Sequence, residues 1–413
     1  SNNGAYIDEL QYASINGIIH GQEEIYQLSN ASLNGTYIHK TQSTLLSPTT
    51  TENWSSTNSI TFDGNGNCEY TGMLGKIVRT DTVTPRTVES FTGISNDGLC
   101  TYNVTREGAL TINSIFGATS YAVNPDTDTI VGINAYQSID TVGSGAETMV
   151  KQSSGLSNAN LIGTYLLGAQ SIVLTSTTTE VWSWTDSITF DGNGNCNYIG
   201  ISEYGTIRTE DVSPPTVESF TETPDDGSCT YGLASNGILT IDGDASYVFS
   251  PDNAVIVGND YFSNTDVVTS IEVMVKQSSG LDNASLVGTY MVSGREADLT
   301  DPASTEFWVW TGIVTFDGNG NCNYTGTTEE GVIRTENVTP PTTEIFIGAP
   351  DNSSCTYNLD SDGTLAIAWQ DIGVTLSYAV NHDTTVIAGT HVVTRPSGVV
   401  SAAIERMVKS SGE

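Results

Sequence analysis

Six cysteines fall into three pairs, Cys68 and Cys100, Cys196 and Cys229, Cys322 and Cys355, separated by 32, 33 and 33 residues. An even, regularly spaced set in a Lys-poor chain reads as one disulfide per pair, made in an oxidising compartment. Pairs of buried thiols are the other reading. No cysteine belongs to a Cys-x-x-Cys or Cys-x-x-Cys-His arrangement, so structural zinc, thioredoxin-type redox chemistry and covalent haem have no support.

The first cysteine of each pair follows a loop of one composition. Asp63, Asn65 and Asn67 recur as Asp191, Asn193 and Asn195, and again as Asp317, Asn319 and Asn321, each set spelling Asp-Gly-Asn-Gly-Asn. Oxygens at the first, third and fifth positions are how a calcium loop begins, and calcium takes about six to eight oxygens. The sixth position holds Cys rather than Gly, and no closing Glu follows. A tight hairpin needs the same residues, because Gly and Asn tolerate positive φ.

Other chemistry-bearing residues repeat as well. Arg79, Arg208 and Arg334 hold one position; Glu147, Glu272 and Glu405 hold another. In a chain with 13 basic residues, such repetition suggests a polar ligand site inside or at the mouth of each module. Arg–Glu pairing that holds strands together is the alternative. Trp54, Trp182 and Trp308 repeat, and Trp184 and Trp310 add a second ring two residues on, where the first copy has Ser56. Residues two apart on a strand share a face, so these rings form a strip on which a sugar could stack, or part of a core. The histidines, His20, His39, His382 and His391, do not repeat. No nucleophile–base order, phosphate loop or dinucleotide fingerprint occurs, and the expectation is a protein that is not an enzyme.

What must position these residues is a threefold internal repeat. LSNASLNGTY at Leu28 returns as LSNANLIGTY at Leu156 and LDNASLVGTY at Leu281, and the copies close on ETMVKQSSG, EVMVKQSSG and ERMVKSSGE. The division is therefore residues 28–155, 156–280 and 281–413, behind an unrelated extension of residues 1–27 that could serve assembly or attachment. The Ser/Gly links are short and flexible in composition, which suggests a rod or beads on a string.

Within a copy, β-branched or alternating runs are broken by turn signals every 8–12 residues, the pattern of an all-β fold. Glu107-Gly108, Asn236-Gly237 and Asp362-Gly363 mark one recurring hairpin. Successive hairpins give an antiparallel up-and-down meander, which closes into a barrel and so loses its exposed edges; a two-sheet sandwich is the other architecture. The opening Leu-x-Gly-Thr-Tyr strand followed by a meander resembles the start of calycin barrels of the lipocalin and avidin type, with Tyr37, Tyr165 and Tyr290 in place of their tryptophan. The resemblance implies a barrel with a central cavity.

Composition bounds the setting. The formal charge is −35, from 48 acidic and 13 basic residues. So few cations argue against nucleic acid and anionic membranes. No apolar run reaches the ~18 residues of a membrane span, so no membrane insertion is expected. Eight sequons add surface-glycosylation candidates. These features point to an extracellular structural or adhesive surface protein, such as a subunit of a filament or surface coat, that self-associates or meets other surface proteins or glycans. A secreted binding protein for a carbohydrate or small apolar ligand is the alternative. No cofactor is expected beyond calcium in the loops.

Overall fold

The computed structural model describes residues 27–411, apart from 115–116, 139, 224, 244, 260, 264–266, 339, 350–351, 370–373 and 395–399. The expected attachment segment, residues 1–27, lies outside the described residues but for its last position.

The first module contains β1 (Asn34–Leu46), β2 (Thr50–Asp63), β3 (Asn67–Thr80), β4 (Thr87–Ser95), β5 (Gly98–Val104), β6 (Ala109–Ser114), β7 (Gly117–Val123), β8 (Thr129–Gln137) and β9 (Val142–Lys151). All neighbours are antiparallel, and β1–β9 pairing closes the sheet. Eight strands make the barrel, in which β3 pairs with β5 at its Cys68 end. Farther along, β3 pairs with β4, which lies outside the barrel as an extra strand. The other two modules repeat this plan. In the second, the counterpart of β8 is split into Val255–Gly258 and Tyr261–Ser263, both paired with Val267–Lys276. The fold is therefore three antiparallel barrels, and the sandwich reading is set aside.

Local chemistry explains the barrels. In β5, Cys100, Tyr102 and Val104 point inward while their neighbours are exposed, the period of two that a half-buried strand requires. Tyr37, Phe62 and Tyr102 meet edge to face in the interior, and the same trio recurs as Tyr165, Phe190 and Tyr231 and as Tyr290, Phe316 and Tyr357. The tyrosines that open each copy also close its base. The Tyr165 hydroxyl donates to the Asn253 carbonyl at 2.9 Å and that of Tyr290 to Thr384 at 2.6 Å, while Tyr37 donates to Thr127. Each accepting residue is a turn residue with φ near 60°.

Strands β1 and β9 break the pattern: β9 is buried along nearly its whole length, on both faces. The reason corrects the expected rod. The outward faces of these strands in all three modules turn toward one another around a pseudo-threefold axis. Ile38 and Val150, Leu166 and Val275, and Met291 and Val408 belong to one buried cluster. A second cluster, farther along the axis, joins Leu46, Leu174 and Leu299. Burying apolar surface at about 25 cal/mol/Å² favours this closure over separated beads. The short links do not oppose it. The link after the second module donates from Ser278 and Gly280 backbone N–H groups to the Asp362 and Ser361 carbonyls of the third. The matching residues after the third dock on the first: the Ser411 hydroxyl donates to the Arg106 carbonyl at 2.7 Å.

Candidate functional site

Three layers of side chains could carry function: the joints of the ring, the barrel interiors and the loop ends.

At the joints stand the repeating arginines. Each lies on the counterpart of β3, with an acid two residues on, so both side chains share a face. Arg79 donates from Nε to Asp81 at 2.6 Å, and reaches into the second module to the Thr179 hydroxyl at 2.7 Å and Glu210 at 3.3 Å. Arg334 donates to Glu336 at 2.6 Å, and reaches into the first module to Thr51 at 2.7 Å and Asp81 at 2.6 Å. Arg208 donates to Thr305 at 2.7 Å, the Pro302 carbonyl at 2.9 Å and the Ser304 carbonyl of the third module. Its own acid, Glu210, is 3.5 Å away. Every module thus clasps the next in a closed cycle. All three arginines are essentially unexposed. Burial opposes the charge of Arg334, but Asp81 and Glu336 outweigh it and raise its pKa; burial lowers that of Arg208, which Glu210 and Glu336 only partly offset. The repeated arginines therefore face the module joints rather than a barrel interior or mouth. Their partners are the acids two residues on, which recur in the sequence as Asp81, Glu210 and Glu336, and groups of the neighbouring module, which no comparison of copies could reveal.

Inside each barrel the repeated glutamate meets a tyrosine. Tyr247 donates to Glu272 at 2.7 Å, and Tyr121 and Tyr378 donate to Glu147 and Glu405. Glu147 also contacts His39 Nε2 at 2.9 Å and accepts from Asn134. Burial opposes its charge, yet His39, Tyr121 and Asn134 together keep its pKa below the ordinary value. Glu405 accepts from the Trp310 indole at 3.0 Å, with His391 Nδ1 at 3.9 Å. His39 and His391 do not correspond in the repeat, yet the fold brings each to the equivalent glutamate from a different strand. Sequence comparison missed this pairing because the two histidines occupy different repeat positions.

The tryptophans divide into two groups. Trp184 packs against the second barrel's core, and Trp310 lies on Gly294 as it reaches Glu405. Trp54, Trp182 and Trp308 are half-buried, and each donates its indole N–H to the glutamate two residues before it, at 3.0–3.1 Å. Lys76 stands 4.9 Å from the Trp54 ring centroid. Phe220 and Phe346 meet Trp182 and Trp308 edge to face at 4.4 and 5.6 Å.

The Asp-Gly-Asn-Gly-Asn loops are hairpin turns adjoining the disulfides. Asp63 Oδ1 accepts from the Asn65 and Asn67 backbones at 2.7 and 3.0 Å, and Oδ2 from the Asn67 amide at 2.8 Å. Asp191 and Asp317 repeat this with Asn193 and Asn195, and with Asn319 and Asn321. These bonds hold the Asp191 pKa at about 2. On Asp63 both acceptor sites of Oδ1 are thereby occupied, and Oδ2 keeps one of its two. The bonded cysteine pairs are Cys68–Cys100, Cys196–Cys229 and Cys322–Cys355, directly cross-strand from one another.

No protein-family model matches the chain, and no curated protein matches it. Solved structures similar to it include the isotype 1 transferrin binding protein B of serogroup B Neisseria meningitidis. That protein is 7% identical, with 90% of this chain and 76% of that chain covered and a TM-score of 0.25. A mutant transferrin binding protein B of Haemophilus parasuis Hp5 is 10% identical, with the same coverage and TM-score. Likeness at this score carries no argument for a shared function. Among the described residues, no helix is long and apolar enough to cross a membrane.

Proposed function

We propose that this chain is an extracellular structural or adhesive surface protein, with the three-barrel ring as its rigid head. The observation that carries the reading is the closed cycle of buried arginine clasps. It makes one body of three modules and leaves the β4-type strands as repeated outer faces for contact with copies or partners. Three disulfides and a surface poor in lysine suit a protein that works outside the cell. Negative-stain electron microscopy of protein taken from its native surface or medium tests the proposal. Ordered fibres, sheets or a surface layer of three-lobed particles support it, and deleting residues 1–27 should then release single particles. Only free particles that bind no surface would overturn it.

A second reading, a secreted carbohydrate-binding protein, draws on one observation. Gly331 lies against the Trp308 ring with no room for a Cβ, so that ring lies flat on the sheet in the manner of a stacking platform. Glycan binding that is lost in Trp54→Ala, Trp182→Ala and Trp308→Ala proteins that stay folded would favour it.

A further inference from the structure

Between the two apolar clusters the pseudo-threefold axis crosses a polar layer, and there the symmetry fails. Three equivalent positions hold Gln42, Gln170 and Arg295. Gln42 donates across the joint to the Thr269 carbonyl, and Gln170 to the equivalent carbonyl of Ala402, both at 2.7 Å. Arg295 instead turns inward. Its Nη1 donates to the Gln42 and Gln170 side-chain oxygens at 2.8 and 3.2 Å, and its Nη2 to the Thr44 hydroxyl at 2.7 Å. Thr44 in turn donates to Asn53 Oδ1 at 2.9 Å. Thr44 and Asn53 are polar where the other modules have Ile172 and Ala297, and Val181 and Phe307. The departures from symmetry are therefore in mutual contact and form one network.

That network has donors left over. Arg295 is unexposed, and so is Asn53. Arg295 Nε, Asn53 Nδ2 and the hydroxyls of Ser144 and Ser293 are buried with no hydrogen-bond partner. They are neighbours by register: Ser144 pairs with Thr44, and Ser293 lies two residues from Arg295 on the same face. Among the described residues no carboxylate pairs with Arg295. A buried cation normally has a counter-charge. Water brings as many donors as acceptors, whereas a monatomic anion accepts from several donors and needs nothing in return. We propose that this axial layer binds a halide ion, chloride under ordinary conditions, with Arg295 supplying the charge and Asn53, Ser144 and Ser293 the neutral donors.

Crystals of the full chain soaked in bromide test this directly. The expected result is an anomalous peak within hydrogen-bond distance of Arg295 Nε. A second measurement compares thermal unfolding in sodium chloride and sodium gluconate at equal ionic strength. The native chain should melt higher in chloride, and that difference should vanish in Arg295→Gln, which restores the residue of the other two modules. Absence of the peak, or the same chloride effect in the variant, overturns the proposal. If Arg295→Gln does not fold, the bromide map alone decides.

Discussion

Replacing Arg334 by Ala should loosen the joint between the third and first modules. Its guanidinium is 1% exposed and donates to Asp81, Glu336 and Thr51, at 2.6, 2.6 and 2.7 Å. Removing one partner of a buried pair leaves charge uncompensated and costs about 3–5 kcal/mol. The lower half of that range is expected, because Asp81 keeps Arg79 at 2.6 Å. For a chain of this length unfolding as one unit, 3–4 kcal/mol corresponds to a Tm drop of roughly 4 °C. Arg208→Ala should lose less, since its acid lies 3.5 Å away and its other partners are neutral. Guanidinium unfolding measures the energies, and small-angle scattering reports whether the particle expands. A loss for Arg334→Ala below about 1 kcal/mol is the behaviour of an exposed pair. With unchanged scattering, it would refute the claim that the ring closes through this residue.

Other expectations follow from the same geometry. Burial, then Asp252 and Asp126, push the Asp128 carboxyl up to about 7. A folded pKa above the unfolded value means stability that is complete below about 4 and is lost as pH rises through 7. The native chain should therefore unfold at lower denaturant at pH 8 than at pH 5, and Asp128→Asn should flatten that difference. Denatured, unreduced protein should show no free thiol, and reduction should cost roughly 3–4 kcal/mol per module, the worth of a closed loop of this size in the chain-entropy treatment. Trp310→Ala should destabilise the third module by less than the roughly 3–5 kcal/mol of a fully buried ring, because the ring is only half-buried and its loss leaves Glu405 without the indole donor; an unchanged midpoint in the same unfolding curves would show that this contact contributes nothing.

The barrels were legible in the sequence because their causes are local. Period-two strands such as β5, Gly-rich turns and cysteines that fall cross-strand each act within about 35 residues of chain. The Trp pair was legible as a shared face. Its division was not: Trp310 turns to Glu405, 95 residues away, whereas Trp308 stays with Glu306 beside it. His39 and His391 likewise gained meaning only when barrel closure set each beside the interior glutamate.

Three copies, their all-β character, the even spacing of their cysteines and the recurrence of Arg79, Arg208 and Arg334 were already readable along the chain, since strand period and turn chemistry are written in neighbouring residues. What the outward faces of β1 and β9 are for emerges from the packing of the three barrels. Ile38, Gln42 and Leu46 read alike as surface or joint until three barrels meet, because an apolar stripe states that it must be buried and leaves open against what. The ring supplies that partner, and with it the clasps and the asymmetric layer around Arg295.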